Sequence, residues 1–550
     1  MNAGTDPLVT RADIARRAGV HRPAVSNWQR RYSGFPRPVS EDSQETELFA
    51  EAEVQTWLDS RAIPSNARRP EESTGTTYGD RFRAGSAPVP LLSTVRTLVG
   101  EDQRFAGRLS VDQYDQYPLL LMALVHLREK HPGARGSRAD LWRDVPTAVR
   151  KQLRGDGMHL LFDRLRPILD EVPPKMLADL GTALDAGSAP GGADAADAFD
   201  FLLARYGEVA HGKAKDLPTP PSAARTVAEL VADGGRRTGD GTPAVPRLHD
   251  PYCRGGELLA AAVDAARAAG HEGFSTTPPD EWLVSGVGTD GLLLELARMS
   301  LDVRGAQGEW RLERELAAPG HLGTAERFGL VLTNPPFNAR PRGDHEASAH
   351  WRYGPPPRHN ANYDWLQYVV HTLSVGGRGC VVMPTNAASS ANPGERRIRE
   401  RMVEDGAVEG LVALPPQLFS TTAVAVTLWF LKHPTGDCRD IFFVDATRLG
   451  SMASRTQRVL SDADRDRLVR VYRAGADEAG FSRTVGIDEI RKNGYALSAT
   501  AYLAADATTN PAGTGSTDRV RELAERLAAL DAMGREADQH VANLLRGYGL

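Results

Sequence analysis

The apolar positions of the chain fall into two regimes. From about 91 to 215 they recur at helical spacing, as in YPLLLMALVHLREK and GMHLLFDRLRPIL, and this predicts a run of helices. The stretch 183–195 (ALDAGSAPGGADA) interrupts the run as a loop. From about 216, short apolar runs alternate with helical stretches. VPRLHD precedes ELLAAAVDAARAAG, and WLVSGVGTD precedes GLLLELARMSLDVRG; FGLVLTNPPF, YDWLQYVVHTL, GGRGCVVMP, AVEGLVALP and AVAVTLWFLK follow. Alternation of this kind predicts an α/β fold with a largely parallel sheet covered by helices. The loop PPQLFSTT joins the last two runs and is too short for a crossover helix, so that pair is expected to be antiparallel.

The flanks follow other patterns. Residues 1–63 read as a small unit, and 64–90, polar and rich in Gly, Pro and Ser, as a linker. In the tail, Val520, Leu523, Leu527, Leu530, Gly534, Ala537, Val541 and Leu544 alternate at spacings of three and four, which predicts a heptad helix. That helix either packs on its own domain or binds a partner. The expected order is thus a unit at 1–63, a linker at 64–90, a helical domain at 91–215, the sheet domain at 216–435, an extension of it at 436–505 and a helix at 516–550.

Composition narrows the class. A chain of 550 residues has room for several domains. No apolar run approaches the roughly 18 residues that cross a bilayer, and MNAGTDPLVTRADIARR lacks the apolar core of a signal peptide. A cytoplasmic protein without membrane contact is expected. Cys253, Cys380 and Cys438 lie far apart, so neither a disulfide framework nor a Cys-rich zinc site is expected. The 14 His show no metal-ligand spacing such as HExxH, and no metal is expected. Gly207 to Lys213 (GEVAHGK) matches most of a phosphate-binding loop. Ala214 stands where Ser or Thr would hold magnesium, and a helical stretch precedes it, so the context is wrong.

The formal net charge is −5, so nucleic-acid binding would need locally clustered cations. Such a cluster exists. Between 10 and 38 there are seven Arg and one acid, Asp13. Within TRADIARRAGVHRPAVSNWQRRY, Thr10 suits an N-cap, Gly19 a turn and Pro23 the first turn of a second helix. That spacing is helix-turn-helix. Phe35 to Val39 and Phe49 to Leu58 then resemble the wing and last helix of excisionase-like winged helices. On that resemblance Arg22, Ser26, Asn27 and Arg30 would face the DNA major groove and Arg37 a phosphate. The other reading is a helical protein-interaction domain with a solvated basic face.

The sharpest motif is Asn334-Pro335-Pro336-Phe337, directly after the apolar run Phe328 to Leu332. It falls at the C-terminal end of a predicted strand, where open α/β sheets bind ligands. Two prolines stiffen the loop and remove two backbone donors. The carbonyls and the Asn oxygen remain as acceptors, and Phe337 offers a flat face. Acceptors around a stacking platform suit a planar base with an exocyclic amine, taken out of its duplex. The bare tetrapeptide reads equally well as a Pro-rich turn capping a strand.

Its surroundings decide between the two. Thr219-Pro220-Pro221-Ser222 opens a helix; Asp250-Pro251-Tyr252-Cys253-Arg254-Gly255-Gly256 follows a strand; Gly286-Val287-Gly288-Thr289-Asp290 comes next; Asn360-Ala361-Asn362-Tyr363-Asp364-Trp365 and Leu414-Pro415-Pro416 lie downstream. In this order, over about residues 195–503, the chain resembles the adenine-specific N6 DNA methyltransferases, above all the modification subunits of type I restriction–modification systems. The resemblance implies a Rossmann-like methyltransferase sheet, S-adenosylmethionine as donor and adenine in DNA as acceptor. It further implies that Asn334 and the Pro335 carbonyl hold the adenine amine, with Pro336 in the same rigid turn, and that Phe337 stacks on the base. Thr219, Pro220, Asp250, Pro251, Cys253, Gly255 and Gly256 would contact the cofactor.

Two departures from the family pattern stand out. Arg254 replaces the first glycine of the cofactor loop, and Gly255 is expected to shift the tight point by one residue. Gly288 falls where the family carries a ribose-binding acid, and Asp290 is the substitute; Glu315 is the nearest acid for the cofactor's adenine. Either the pocket is reshaped and still binds cofactor, or the chain is a non-enzymatic DNA-binding regulator on a degenerate methyltransferase fold. Methylation of a protein or RNA amine is a third reading. Nothing resembles a helicase or nuclease, so restriction would come from another protein. Target choice falls to the N-terminal unit or to a specificity subunit; self-association through the C-terminal helix is the other expected contact.

Overall fold

The computed structural model describes residues 8–39, 47–64, 67–68, 72–73, 75–84, 90–100, 109, 113, 116–132, 138–185, 193–209, 219–232, 247–268, 282–313, 327–340, 351–419, 424–437, 440–454 and 457–503. The heptad tail, Glu315, Cys438 and the end of the loop-like stretch at 207–213 lie outside these. The chain divides into two compact units, Met1–Ala224 with Arg247–His271 and Thr276–Arg314, and Arg225–Pro246 with Glu272–Ser275 and Glu315–Leu550.

In the first unit, β1 (Leu8–Thr10) pairs antiparallel with β2 (Leu48–Ala50), Val9 opposite Phe49. Helices Arg11–Ala18, Arg22–Arg31 and Glu51–Asp59 pack against this pair. Thr10 and Asp13 cap the first helix reciprocally. The Thr10 hydroxyl oxygen accepts from Asp13 N at 3.1 Å, and Asp13 Oδ2 accepts from Thr10 N at 3.2 Å. Ile14, Val25, Phe35, Phe49, Val54 and Leu58 form the core. Phe82 joins them. It comes from a helix, Tyr78–Ala84, inside the stretch that composition reads as linker. The Arg17 guanidinium lies 3.7 Å over its ring. About two helical turns with two aromatic residues, set among Gly and Ser, are too short to show a period.

The helical region has helices Leu91–Gly100, Tyr117–Glu129, Ala139–Arg143, Val145–Gly155, His159–Glu171, Pro174–Asp185 and Ala193–Val209. Tyr117–Glu129 is largely apolar and buried from Tyr117 to Arg128, as a central helix must be. Its core cluster continues into Leu293, Leu296, Met299 and Val303 of the helix Gly291–Val303. Arg304, at the end of that helix, is buried; it bonds Asp200 at 2.8 Å and Asp264 at 2.9 Å and so ties three helices of the unit together.

The fold is α/β with a mixed nine-strand sheet and a helical region N-terminal to it. The strands are β3 (Arg247–Asp250), β4 (Leu283–Gly288), β5 (Gly308–Leu312), β6 (Phe328–Thr333), β7 (Leu373–Pro384), β8 (Val408–Ala413), β9 (Val426–Lys432), β10 (Ile441–Asp445) and β13 (Ser482–Val485). Their order is β13-β10-β8-β9-β7-β6-β3-β4-β5. β11 (Ser451–Met452) and β12 (Arg458–Val459) form a separate small ladder. The pair β8–β9 is antiparallel, as its short connection requires. The sheet is less parallel than the alternation predicts. β9 enters antiparallel between β7 and β8, and β13 closes the far edge antiparallel to β10. β5 is absent from the sequence reading because an edge strand with half its residues exposed carries no apolar run. No described helix is long and apolar enough to cross a membrane.

Replacing Arg304 with Ala would leave Asp200 and the half-exposed Asp264 without their shared cation. Water reaching Asp264 offsets part of the roughly 3–5 kcal/mol that a fully buried pair loses, so the variant should unfold at a lower urea midpoint. An unchanged midpoint would show that the pair contributes nothing.

Candidate active site

The first unit presents the loop after β3. Asp250 ends the strand, buried, and its Oδ1 accepts from Tyr252 N at 3.0 Å, folding the chain back at once. Pro251, Cys253, Gly255 and Gly256 are buried with it. Cys253 N donates to the Val287 carbonyl at 2.6 Å, which presses the loop against the end of β4. Burial pushes the Cys253 thiol well above its usual range, so the sulfur stays protonated. The helix Glu257–Ala268 then begins with its amides at the C-terminal edge of the strands, the usual cradle for a polar ligand group.

Both departures acquire a physical meaning here. The left-handed residue of the loop is Gly256, at φ +81°, not Gly255. A Cβ on Gly256 would sit 2.9 Å from the Ala297 Cβ, so the glycine also lets two helices meet. Arg254 therefore occupies an ordinary backbone conformation, its guanidinium 5.0 Å over the Tyr252 ring. At Gly288 a Cβ would lie 2.5 Å from the Cys253 carbonyl oxygen and 2.9 Å from Leu294 Cδ2. The reshaped loop has taken the space a side chain at 288 would use. Asp290 is exposed two residues on, and its Oδ1 accepts from Leu292 N at 2.8 Å and Leu293 N at 3.1 Å, capping the helix Gly291–Val303. Thr219 and Pro220 are buried immediately before the helix Pro221–Ala232.

The second unit carries the tetrapeptide. β6 ends at Thr333; Asn334 and Pro335 follow buried, Pro336 and Phe337 half-buried. The turn beyond is held by residues without an assigned role at the sequence level. Asn338 is left-handed, φ 52°. Its amide donates to Asn362 Oδ1 at 3.0 Å, and its own Oδ1 accepts from Asn362 Nδ2 at 3.0 Å. Asn362 N donates to Asn360 Oδ1 at 2.9 Å, and Ala361 N to the Ala339 carbonyl at 2.9 Å. This reciprocal asparagine pair fixes the loop that presents Asn334. Asparagine tolerates the left-handed region and bonds backbone as readily as backbone does, and that was the available signal. Burial pushes the neighbouring Asp364 carboxyl up to about 7.

In the N-terminal unit Ser26, Asn27, Arg30 and Arg37 are exposed, and Arg30 Nη2 donates to Asn27 Oδ1 at 2.8 Å. The Arg22 side chain lies outside the described residues.

A glycine loop runs into a helix N-terminus in the first unit, and a rigid, acceptor-rich turn ends a strand in the second. A family model, N-6 DNA Methylase, matches residues 193–510, more than half of the chain. The chain belongs to that family. The MjaIX type I restriction enzyme methylase subunit of Methanocaldococcus jannaschii is 27% identical over 324 residues, 56% of this chain and 54% of that protein. The HindI methylase subunit of Haemophilus influenzae is 24% identical over 362 residues, 64% of this chain and 77% of that protein. The first of these relatives is thus matched over about half of its length. The solved methyltransferase subunit of a type I restriction–modification system from Streptococcus thermophilus has the same fold. Its TM-score is 0.56 at 17% identity, covering 74% of this chain and 98% of that one.

Restoring an acid at 288 is expected to harm the protein. Gly288→Asp should lower the melting temperature by several degrees, because its Cβ cannot coexist with the Cys253 carbonyl. A variant that melts with the parent would show that the loop yields freely.

Proposed function

We propose that this chain transfers a methyl group from S-adenosylmethionine to N6 of adenine in DNA, as the modification component of a type I restriction–modification assembly. The observation that carries the reading is the intact Asn334-Pro335-Pro336-Phe337 at the end of β6, held in a fixed turn by Asn338 and Asn362. Family membership and the type I methylase relatives support it. The finer fold reading goes with it: a Rossmann-like methyltransferase domain, a winged helix-turn-helix before the helical region and a C-terminal helix beyond the described residues.

The donor side fits an adenosyl cofactor. Gly256 turns the loop in the left-handed region, and the helix amides after it lie at the strand ends. Asp250, Pro251, Cys253, Gly255 and Gly256 would line it, with Thr219, Pro220 and Asp290 beside them. When bound, the donor supplies a methyl group already activated on a sulfonium. On the acceptor side the Asn334 side-chain oxygen and the Pro335 carbonyl accept from the two amine hydrogens of a flipped adenine. That orientation frees the nitrogen lone pair, and the same acceptors stabilise the positive charge that grows on the nitrogen. Pro336 keeps the turn rigid, and Phe337 stacks on the base.

DNA is the partner, with a specificity subunit on the helical region or tail. Ser26, Asn27 and Arg30 would face a groove, with Arg22 on the same helix, and Arg37 a phosphate. The aromatic core around Phe82 makes truncation at residue 63 a poor test, since it would strip that ring of its partners. Point variants serve better.

Asn334→Ala should lower adenine methylation by about a hundredfold or more while the melting temperature holds, as read by modified-base sequencing and thermal melts. Full methylation by the variant would overturn the assignment. Arg30→Ala with Arg37→Ala should weaken DNA binding and reduce its salt dependence by about one ion per lost phosphate contact. Titrations at several salt concentrations check this, and an unchanged slope would favour a protein-interaction domain.

A further inference from the structure

The helical region is fastened to the helix that follows β4 through one carboxylate. The helix His159–Glu171 has no side-chain cap of its own. The amides of Leu160 and Leu161 instead donate to Glu295 Oε1 at 3.0 Å and Oε2 at 2.7 Å. Both oxygens are engaged, and a carboxylate at a helix N-terminus also meets the positive end of the helix dipole. Glu295 lies in the helix Gly291–Val303, so the clamp sets the first turn of one helix on the first turns of the other.

The clamp brings together side chains that a soluble protein would otherwise bury. A Cβ on Gly291 would lie 2.5 Å from Leu160 Cδ1 and 3.7 Å from Leu312 Cδ2. Leu160 and Leu312 are each 48% exposed. Leu312 ends β5 directly opposite Gly288, and Glu313 N donates to the Gly288 carbonyl at 2.9 Å. Two half-exposed leucines and a glycine thus gather at the C-terminal edge of β4 and β5, beside Asp290. A small apolar surface at the ligand-binding edge of the sheet, next to a carboxylate, suits a flat heteroaromatic ring carrying hydroxyls on its neighbouring sugar.

We propose that the helical region is part of the cofactor site. Leu160 and Leu312 form one apolar face for the purine ring of the adenosyl group, and Gly291, lacking a Cβ, lets Leu160 pack down beside Leu312. Glu295 is a positioning residue that holds Leu160 in place. The inference rests on the reading that the chain binds S-adenosylmethionine.

The test is calorimetric titration of the full chain with S-adenosylhomocysteine, alongside melting curves without ligand. Leu160 is exposed, so Leu160→Ala should melt with the parent and bind about tenfold more weakly. Leu160→Met should bind as the parent does, and Gly291→Leu should weaken binding by pushing Leu160 off that face. Glu295→Ala should weaken binding as Leu160→Ala does, and the double variant should be no weaker than either, because both act through one contact. Glu295→Gln, which keeps one acceptor, should fall between. Parent-like affinity in Leu160→Ala would overturn the inference while leaving cofactor binding intact. Absence of binding by the parent chain would instead overturn the methyl-transfer reading on which it rests.

Discussion

The structure of the first unit turns on a contact in which two backbones meet with no side chain between them. The Cys253 carbonyl faces Gly288, and the Cys253 amide is bonded to Val287. That approach draws the loop after β3 onto the end of β4, aims the helix Glu257–Ala268 at the strand ends and brings Gly256 against Ala297. The loop from Asp250 to Gly256 is placed by it. Close packing of this kind has no tolerance for an added atom. With the Cys253 carbonyl against it, the end of β4 can carry only glycine at 288.

Burial with compensation repeats at larger scale. Arg304 is almost fully buried, yet Asp200 and Asp264 satisfy it, and these come from separate helices. The helix Tyr117–Glu129 is buried almost throughout because others surround it, and its buried His126 and Arg128 are paired with Asp302 and Glu129. Its cluster runs on into the helix Gly291–Val303, so the helical region and the helix after β4 share one core instead of meeting at a wet interface. In the second unit the asparagine pair has the same role on a smaller scale. It satisfies backbone polar groups that a Pro-rich turn leaves without partners, and it does so without a charge beside the proposed base pocket.

Much of this was legible along the chain. The strand before Asn334 was visible as an unbroken apolar run, and the tetrapeptide announced its chemistry through the absence of backbone donors. The antiparallel turn of β8 into β9 followed from the length of one loop. The Thr10–Asp13 cap and the helix opened by Pro23 were local too. Less visible were β5, whose exposed positions break the pattern, the aromatic turn at Tyr78–Ala84, and the insertion of β9 between β7 and β8. Each depends on what lies beside it in space, and strand order is not encoded in the period of any one strand.

The sequence by itself determined the class of chemistry and the residues most concerned with it, because rigidity, acceptor inventory and hydrophobic period are properties of neighbouring residues. Only the tertiary structure decided which glycine turns the loop, why 288 tolerates nothing larger and that Asn362 holds Asn338. It also decided that Glu295 reaches back to Leu160. These are contacts between positions far apart in the chain, and they depend on distances of a few tenths of an ångström. A linear pattern carries no such distances until the core has closed.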